Sequence, residues 1–357
     1  MLGFSVFLSE EITEETAAYV EMMSRSGFTH VFTSLHIPED DSSQYVPRLK
    51  SLGEILKAHH MNLMVDISTT GLKQIGFDIS SEDDLKAIKQ LGITGLRMDY
   101  GLDLETMAFL SHHITVGLNA STLSQADAAE LGRLGANFNN MELLHNYYPR
   151  PETGLSEASF REKNRQFHHL GIKNSAFVPG DARLRGPLHL GLPTLEKHRD
   201  VHPLAAAIEL FQDDTIDGVY IGDETIQPLT AQQFYQYFKE ACVLLPVSVK
   251  SEAHRALFID THTNRMDDAR DVVRSQEARF KTIPTIEPDD TVSRTVGSVT
   301  LDNRLYGRYM GELQVVKRPL PADEKVNVVA TIDTPHCDLV QWVQPGQKFE
   351  LVPKEKA

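Results

Sequence analysis

Cysteine is scarce in this 357-residue chain, with Cys242 and Cys337 its two thiols. Two cysteines so far apart exclude a disulfide framework and fit a reducing compartment, the cytoplasm. Cys337 follows His336, and such a neighbour pair reads as structural. No apolar run approaches the ~20 residues that a membrane-spanning helix needs. The start, MLGFSVFLSEE, turns acidic without a basic leader, which argues against a signal peptide. Basic residues are outnumbered, 35 against 50, for a net charge of −15. That deficit leaves no footprint for nucleic acid or an anionic membrane, although a few clustered arginines would suffice for a small phosphorylated ligand.

Chemical motifs are equally sparse. There is no HExxH, CxxC or spaced His/Asp set for a metal, and no cofactor is expected. His59-His60, His112-His113 and His168-His169 are adjacent pairs, and sequence neighbours do not face one site. The chain has no Walker loop, no GxSxG elbow and no GxGxxG after its first apolar run. None of its apolar runs ends in a lysine suited to a Schiff base.

What is present is a repeat. Up to about residue 245 the chain gives eight times a short apolar run, a polar loop and an amphipathic helix. The runs are Gly3 to Ser9, His30 to His36, Asn62 to Ser68, Gly95 to Gly101, Thr115 to Ser121, Asn137 to Leu144, Asn174 to Gly180 and Gly218 to Glu224. Ser81 with Asp84, and Ser124 with Asp127, have the spacing of capping boxes. Leu-Gly pairs ending at Gly92, Gly135 and Gly171 mark helix stops. Eight strand–helix units in this length predict an α/β fold, a (β/α)8 TIM barrel over residues 1–247. An open doubly wound sheet is the structural alternative.

In such a barrel the chemistry lies at the carboxyl ends of the strands. The pattern assigns Asp66, Asp99, Asn119, Glu142, Asp223 and Glu224 to those ends, a ring of carboxylates expected to be used rather than merely tolerated. The stretch 136–154, ANFNNMELLHNYYPRPETG, is the richest. It starts as a buried strand and ends in a loop stiffened by Pro149 and Pro151, offering Glu142, His145, Asn146, Tyr147, Tyr148 and Arg150. The long loop after the seventh strand, residues 179–199, carries Arg183 and Arg185, where barrels often hold phosphate. Beyond residue 245 strand-like runs separated by Pro and Gly turns predict a small β-rich domain over 251–357.

Several stretches taken together resemble one family. LGFSVFLSEE, LMVDIS, LRMDYG, HNYYPRPETGL, HTNRMDDARDVVRS and LDNRLYGRYMGELQ are similar to segments of the bacterial 6-phospho-N-acetylmuramidases, nearly end to end. The resemblance implies a barrel with a cyclophilin-like β-rich domain and a cytoplasmic glycosidase. Its reaction would be hydrolysis of the β-1,4 bond of N-acetylmuramic acid 6-phosphate–N-acetylglucosamine in cell-wall recycling. The partner implied is that small phosphorylated disaccharide, with a homo-oligomer as a further possibility.

On that reading a carboxyl protonates the leaving oxygen and a second carboxylate lies below the ring. Glu142 and Asp99 come first for these roles, with Asp66 and Asp223 in reserve. Attack by the substrate's own amide, helped by Asp223-Glu224, stays open. Asn119, Asn140, His145, Asn146, Tyr148, Arg150 and Glu224 would bind the sugars, and Arg183, Arg185 and Arg274 the phosphate. A phosphosugar epimerase or aldolase, or a binding protein acting through its second domain, are the competing classes.

Overall fold

The computed structural model describes residues 1–35, 44–68, 71–72, 76–79, 81–97, 103–278 and 283–356. The chain divides into two compact units, Met1–Ala231 and Gln232–Ala357.

The first unit is a closed eight-stranded parallel barrel. Its strands are β1 (Leu2–Ser5), β2 (His30–Ser34), β3 (Asn62–Asp66), β4 (Gly95–Arg97), β5 (Thr115–Asn119), β6 (Met141–Leu144), β7 (Lys173–Val178) and β8 (Gly218–Ile221). Each pairs with the next in sequence, and β8 closes on β1 through Gly3↔Tyr220. The described helices between them are α1 (Glu14–Arg25), α2 (Tyr45–Ala58), α3 (Glu82–Gln90), α4 (Leu104–Leu110), α5 (Gln125–Arg133), α6 (Glu157–His168) and α7 (Pro203–Phe211). A further helix, α8 (Pro228–Glu240), follows β8.

Local chemistry sets these boundaries. Ser81 Oγ accepts from the Asp84 amide at the start of α3, which buries Leu85 and Ile88. At α5 the Asp127 amide donates to Ser124 Oγ (3.1 Å) while Asp127 Oδ2 accepts from the Ser124 amide (3.0 Å), a reciprocal capping box. Gly92 and Gly135 end these two helices at φ 92° and 75°, conformations that glycine adopts without a Cβ clash.

Inside the barrel, alternate residues of each strand form stacked layers. Phe32, Met64, Leu144, Phe177 and Tyr220 make the central apolar layer, with Tyr147 packed against it. Tyr220 has its place because Gly3 presents no side chain, a Cβ there falling 2.3 Å from the Tyr220 ring.

The second unit holds a mixed seven-stranded sheet in the order β10-β15-β9-β14-β12-β13-β11. These strands are β9 (Cys242–Val249), β10 (Thr261–Thr263), β11 (Val272–Arg274), β12 (Ser298–Asp302), β13 (Leu313–Val316), β14 (Val326–Ile332) and β15 (Lys348–Pro353). A four-residue helix, α9 (Arg255–Phe258), follows β9. Three details differ from the sequence reading. Residues 242–247, expected at the end of the barrel domain, belong to β9, which pairs with β14 and β15. Residues 338–343, DLVQWV, one of the strand-like runs beyond residue 245, fall instead at the end of a 3-10 segment, Thr334–Trp342, with Pro335 in its first turn where a missing N–H costs nothing. The run from Asn137 begins with a 3-10 turn, Phe138–Asn140, so β6 starts only at Met141.

Candidate active site

That shortened strand relocates the leading carboxylate of the sequence reading. Glu142 is the second residue of β6 and is in register with Lys173, the first residue of β7. It therefore lies toward the amino end of the barrel, two residues before the apolar-layer residue Leu144, and not at the carboxyl end as expected. Its Oε1 accepts from Ser175 Oγ (2.5 Å) and from Tyr220 OH (3.4 Å). Burial pushes its pKa up, against smaller opposing contributions from those two hydroxyls. Such a group holds the closed end of a barrel together; it does not meet substrate at the mouth.

Asn140 and His145 are corrected in the same way. Asn140 Nδ2 donates to the Ser111 (2.8 Å) and Ile114 (2.9 Å) carbonyls, and its Oδ1 accepts from Thr115 Oγ1 at the first residue of β5. His145 turns outward to α6, where Nε2 meets Asn164 Oδ1 at 2.7 Å and the ring lies against Phe160. Burial brings its pKa down to about 4, so it is a neutral packing residue at physiological pH. Asp99 lies outside the described residues.

At the carboxyl ends of β2 to β6 a polar network replaces the apolar layer. Asp66, the last residue of β3, is in register with Arg97, the last of β4. Asp66 Oδ1 accepts from Arg97 Nη1 at 2.9 Å, and Oδ2 accepts from Ser34 Oγ at 3.3 Å. Arg97 Nη2 donates to Asn146 Oδ1, and Asn146 Nδ2 to Ser121 Oγ (3.3 Å). Arg97 is 4% exposed, and it fits there because β5 passes it with Gly117, whose Cβ would lie 2.8 Å from that of Arg97. Asn119, the last residue of β5, is buried at the same end. Sequence reasoning missed Arg97. The available signal was an arginine inside the buried strand Gly95–Arg97, which calls for a carboxylate on a neighbouring strand.

Around this floor the loops carry cations and rings. Arg185 stacks its guanidinium on Phe7, 3.9 Å from the ring centroid, and Nη1 donates to Tyr147 OH at 2.8 Å. Among the described residues it has no carboxylate partner, so its charge is balanced only by ring faces and a phenol. Asp223, expected as a catalytic reserve, is fully buried as the anchor of this loop. Its Oδ2 accepts from the Gly180 (2.8 Å) and Leu192 (3.0 Å) amides, and its Oδ1 from the Arg185 amide (3.0 Å). Those three bonds commit the carboxylate to holding the loop in place.

Tyr148 and Arg150 sit on a neighbouring loop clamped through its backbone. Arg199 Nη2 donates to the Tyr148 carbonyl (3.0 Å), and Glu196 accepts from the Glu152 (2.8 Å) and Gly154 (2.7 Å) amides. The Arg199 guanidinium, aided by those amides, brings the Glu196 pKa down to about 2. Glu224 pairs with Arg183 and lines a cleft of about 510 Å³ with Phe7, Glu10, Glu15 and Tyr19. Burial raises the Glu224 pKa, and Arg183 opposes that only in part. Arg274, expected at the phosphate, lies in the second unit, bonded to Glu312 (2.8 Å) and Asp267 (3.0 Å).

The first unit is thus a TIM barrel whose carboxyl-end floor is a buried carboxylate–guanidinium network, flanked by a cation held on aromatic rings. The chain belongs to the 6-phospho-N-acetylmuramidase family, whose N-terminal model matches residues 2–236 and whose C-terminal model matches residues 243–352. Among solved structures it is similar to a conserved protein of unknown function from a locus in Enterococcus faecalis. The two share 47% identity over 100% of this chain and 98% of that one, with a TM-score of 0.90. It is also similar to an uncharacterised B. cereus protein, at 26% identity over 98% of this chain and 99% of that one, TM-score 0.70. No curated protein matches the chain.

Proposed function

We propose that the protein is a glycosidase that hydrolyses the β-1,4 bond of N-acetylmuramic acid 6-phosphate–N-acetylglucosamine, in the cytoplasm, during peptidoglycan recycling. The observation that carries this reading is the Ser34–Asp66–Arg97–Asn146–Ser121 network at the carboxyl ends of β2 to β6. A buried ion pair contributes little to stability for what its desolvation costs, so its placement where barrels carry chemistry favours use in a reaction. Asp66 then serves as the anionic carboxylate that faces the developing oxocarbenium, with Arg97 as its counter-charge. Glu224, whose pKa burial raises, is the described carboxyl suited to protonating the leaving oxygen, and Asp99 is the second candidate for that role on the sequence pattern. Asn119 and Asn146 supply amides for sugar hydroxyls. Arg185, lacking a carboxylate, is the residue for the 6-phosphate.

The test is incubation with the phosphorylated disaccharide beside its unphosphorylated form. We expect N-acetylglucosamine to be released from the first far faster than from the second. In Arg185→Ala the KM for the phosphorylated substrate should rise by about 10-fold or more, since a charge-assisted pair accounts for roughly 1.5–3 kcal/mol. Equal kcat/KM for the two substrates in the wild type would remove the phosphate from the reading. No release from either would remove the reaction.

A further inference from the structure

Two sequence stretches of the second unit, HTNRMDDARDVVRS (262–275) and LDNRLYGRYMGELQ (301–314), meet on one face of its sheet. The Arg265 amide donates to the Arg274 carbonyl (3.0 Å), Arg274 is opposite Gln314, and Gln314 is opposite Thr300. Residues directly opposite share a face, as do residues two apart along a strand. Glu312 and Asp302 therefore fall on that face beside Gln314 and Thr300. Glu312 Oε1 accepts from Arg274 Nε (2.8 Å) and Gln314 Nε2 (3.1 Å), which confirms the arrangement.

Among the described residues this face carries buried polar atoms with no hydrogen-bond partner. The Asp302 carboxyl is in a residue 4% exposed. Glu312 Oε2, Thr300 Oγ1 and Arg265 Nη1 are buried and lack partners among the described residues. Buried polar atoms without partners each cost roughly 1–3 kcal/mol, and three on one face mark a place where something else supplies the bonds. The counter-ions differ in permanence. Glu312 is buried and fixed, whereas Asp267 bridges Arg265 (3.3 Å) and Arg274 (3.0 Å) from a side chain 62% exposed.

We propose that this face binds a small sugar anion, its anionic group replacing Asp267 on Arg265 and Arg274, and its hydroxyls donating to Glu312 and Asp302. A carboxylate or a phosphate satisfies the guanidinium pair equally. The hydroxyls are required because the unfilled Glu312 acceptor is a carboxyl oxygen, which a bare anion would only repel. Burial, then the neighbouring Glu312, raises the Asp302 pKa to about 7, so near neutrality this carboxyl can also donate to a hydroxyl. The inference does not rest on the reaction assigned to the barrel.

Trp342 is the chain's one tryptophan, and the carbonyls of Val343 and Gln344, next to it in sequence, accept from Asn264 Nδ2 at 3.2 Å. Its fluorescence in the full-length protein therefore reports on the Arg265 segment. The probes are glucose 6-phosphate, glucuronate, glucose and inorganic phosphate. We expect a saturable change with one or both sugar anions, with glucose and inorganic phosphate at least about tenfold weaker; which sugar anion binds tells phosphate from carboxylate. Arg265→Ala should weaken binding by about tenfold or more, and Arg185→Ala should leave it unchanged. Asp267→Ala should tighten it, an outcome that a misfolded variant cannot give. The proposal fails if neither sugar anion binds saturably, if inorganic phosphate binds as well as both, or if Arg185→Ala abolishes the signal. It also fails if Asp267→Ala does not strengthen binding.

Discussion

Asp66 and Glu142 are both buried carboxylates on barrel strands, and their positions along those strands separate their meanings. Asp66 is the last residue of β3 and meets a guanidinium; Glu142 is the second of β6 and meets two hydroxyls. Asp66→Asn should lower kcat by about 10²–10⁴-fold if it acts on the reacting sugar, with the thermal midpoint checked to exclude unfolding. Glu142→Gln should leave turnover unchanged. Because its folded pKa is raised, the protonated form is the favoured one, and any stability that Glu142 contributes is lost as pH rises through that pKa. The glutamine variant, fixed in a neutral form, should therefore match the wild type in acid and exceed its melting temperature in alkali. A large loss of activity in Glu142→Gln would return this residue to the chemistry. The sequence listed carboxylates by their nearness to strand ends, which is why Glu142 looked equivalent to Asp66. Arg97 was hidden for the opposite reason: only cross-strand register shows that it and Asp66 are paired, and register is a property of two strands.

Elements with local signals were the legible ones. Ser124 and Asp127 cap α5 through bonds that depend on three-residue spacing alone, and Gly92 ends α3 by a conformation that its own identity permits. The loop after β7 was legible as a loop, and its arginines as candidates. Its fixing was not, because the carboxylate that orders it comes from Asp223, 31 residues beyond Leu192 in the chain. Removing that carboxylate leaves three buried or half-buried amides unpaired at roughly 1–3 kcal/mol each. Asp223→Ala should therefore expose residues 180–199 to limited proteolysis and raise KM more than it lowers kcat, since Arg185 loses its backbone anchor. Loss of kcat with KM and protease resistance unchanged would make Asp223 a chemical participant instead. The misread runs, 137–140 and 338–343, mix apolar and polar residues over too few positions for periodicity to tell a 3-10 turn from a strand.

For the whole molecule the eightfold repeat was enough to specify the barrel, because each strand–helix unit is written contiguously in the sequence. The second sheet was harder. Its interior strand β9 sits directly after α8, where a barrel ending was expected, and it pairs with β15 about a hundred residues later in the chain. A truncation at Ser251 would keep β9 and delete both of its neighbours, leaving an apolar strand with two open hydrogen-bonding edges. We expect that fragment to aggregate. The full chain carries its own pH signature through Asp302, whose pKa is raised from 3.8 to about 7 by burial, then by Glu312 and Asp323, with Arg294 and Arg274 opposing. The folded state binds this proton more tightly than the unfolded state does, so stability falls as pH rises between about 4 and 7 and stays reduced above. Three pKa units correspond to on the order of 4 kcal/mol as an upper bound. Asp302→Asn removes the ionisation, so it should raise the melting temperature at pH 8 and leave it near wild type at pH 4. If glucose 6-phosphate or glucuronate binds at this face as inferred, the ligand should raise the wild-type midpoint more below pH 7 than above it, where an ionised Asp302 repels the anion. A melting curve for Asp302→Asn that tracks the wild type at both pH values would show that the carboxyl titrates normally and that neither effect exists.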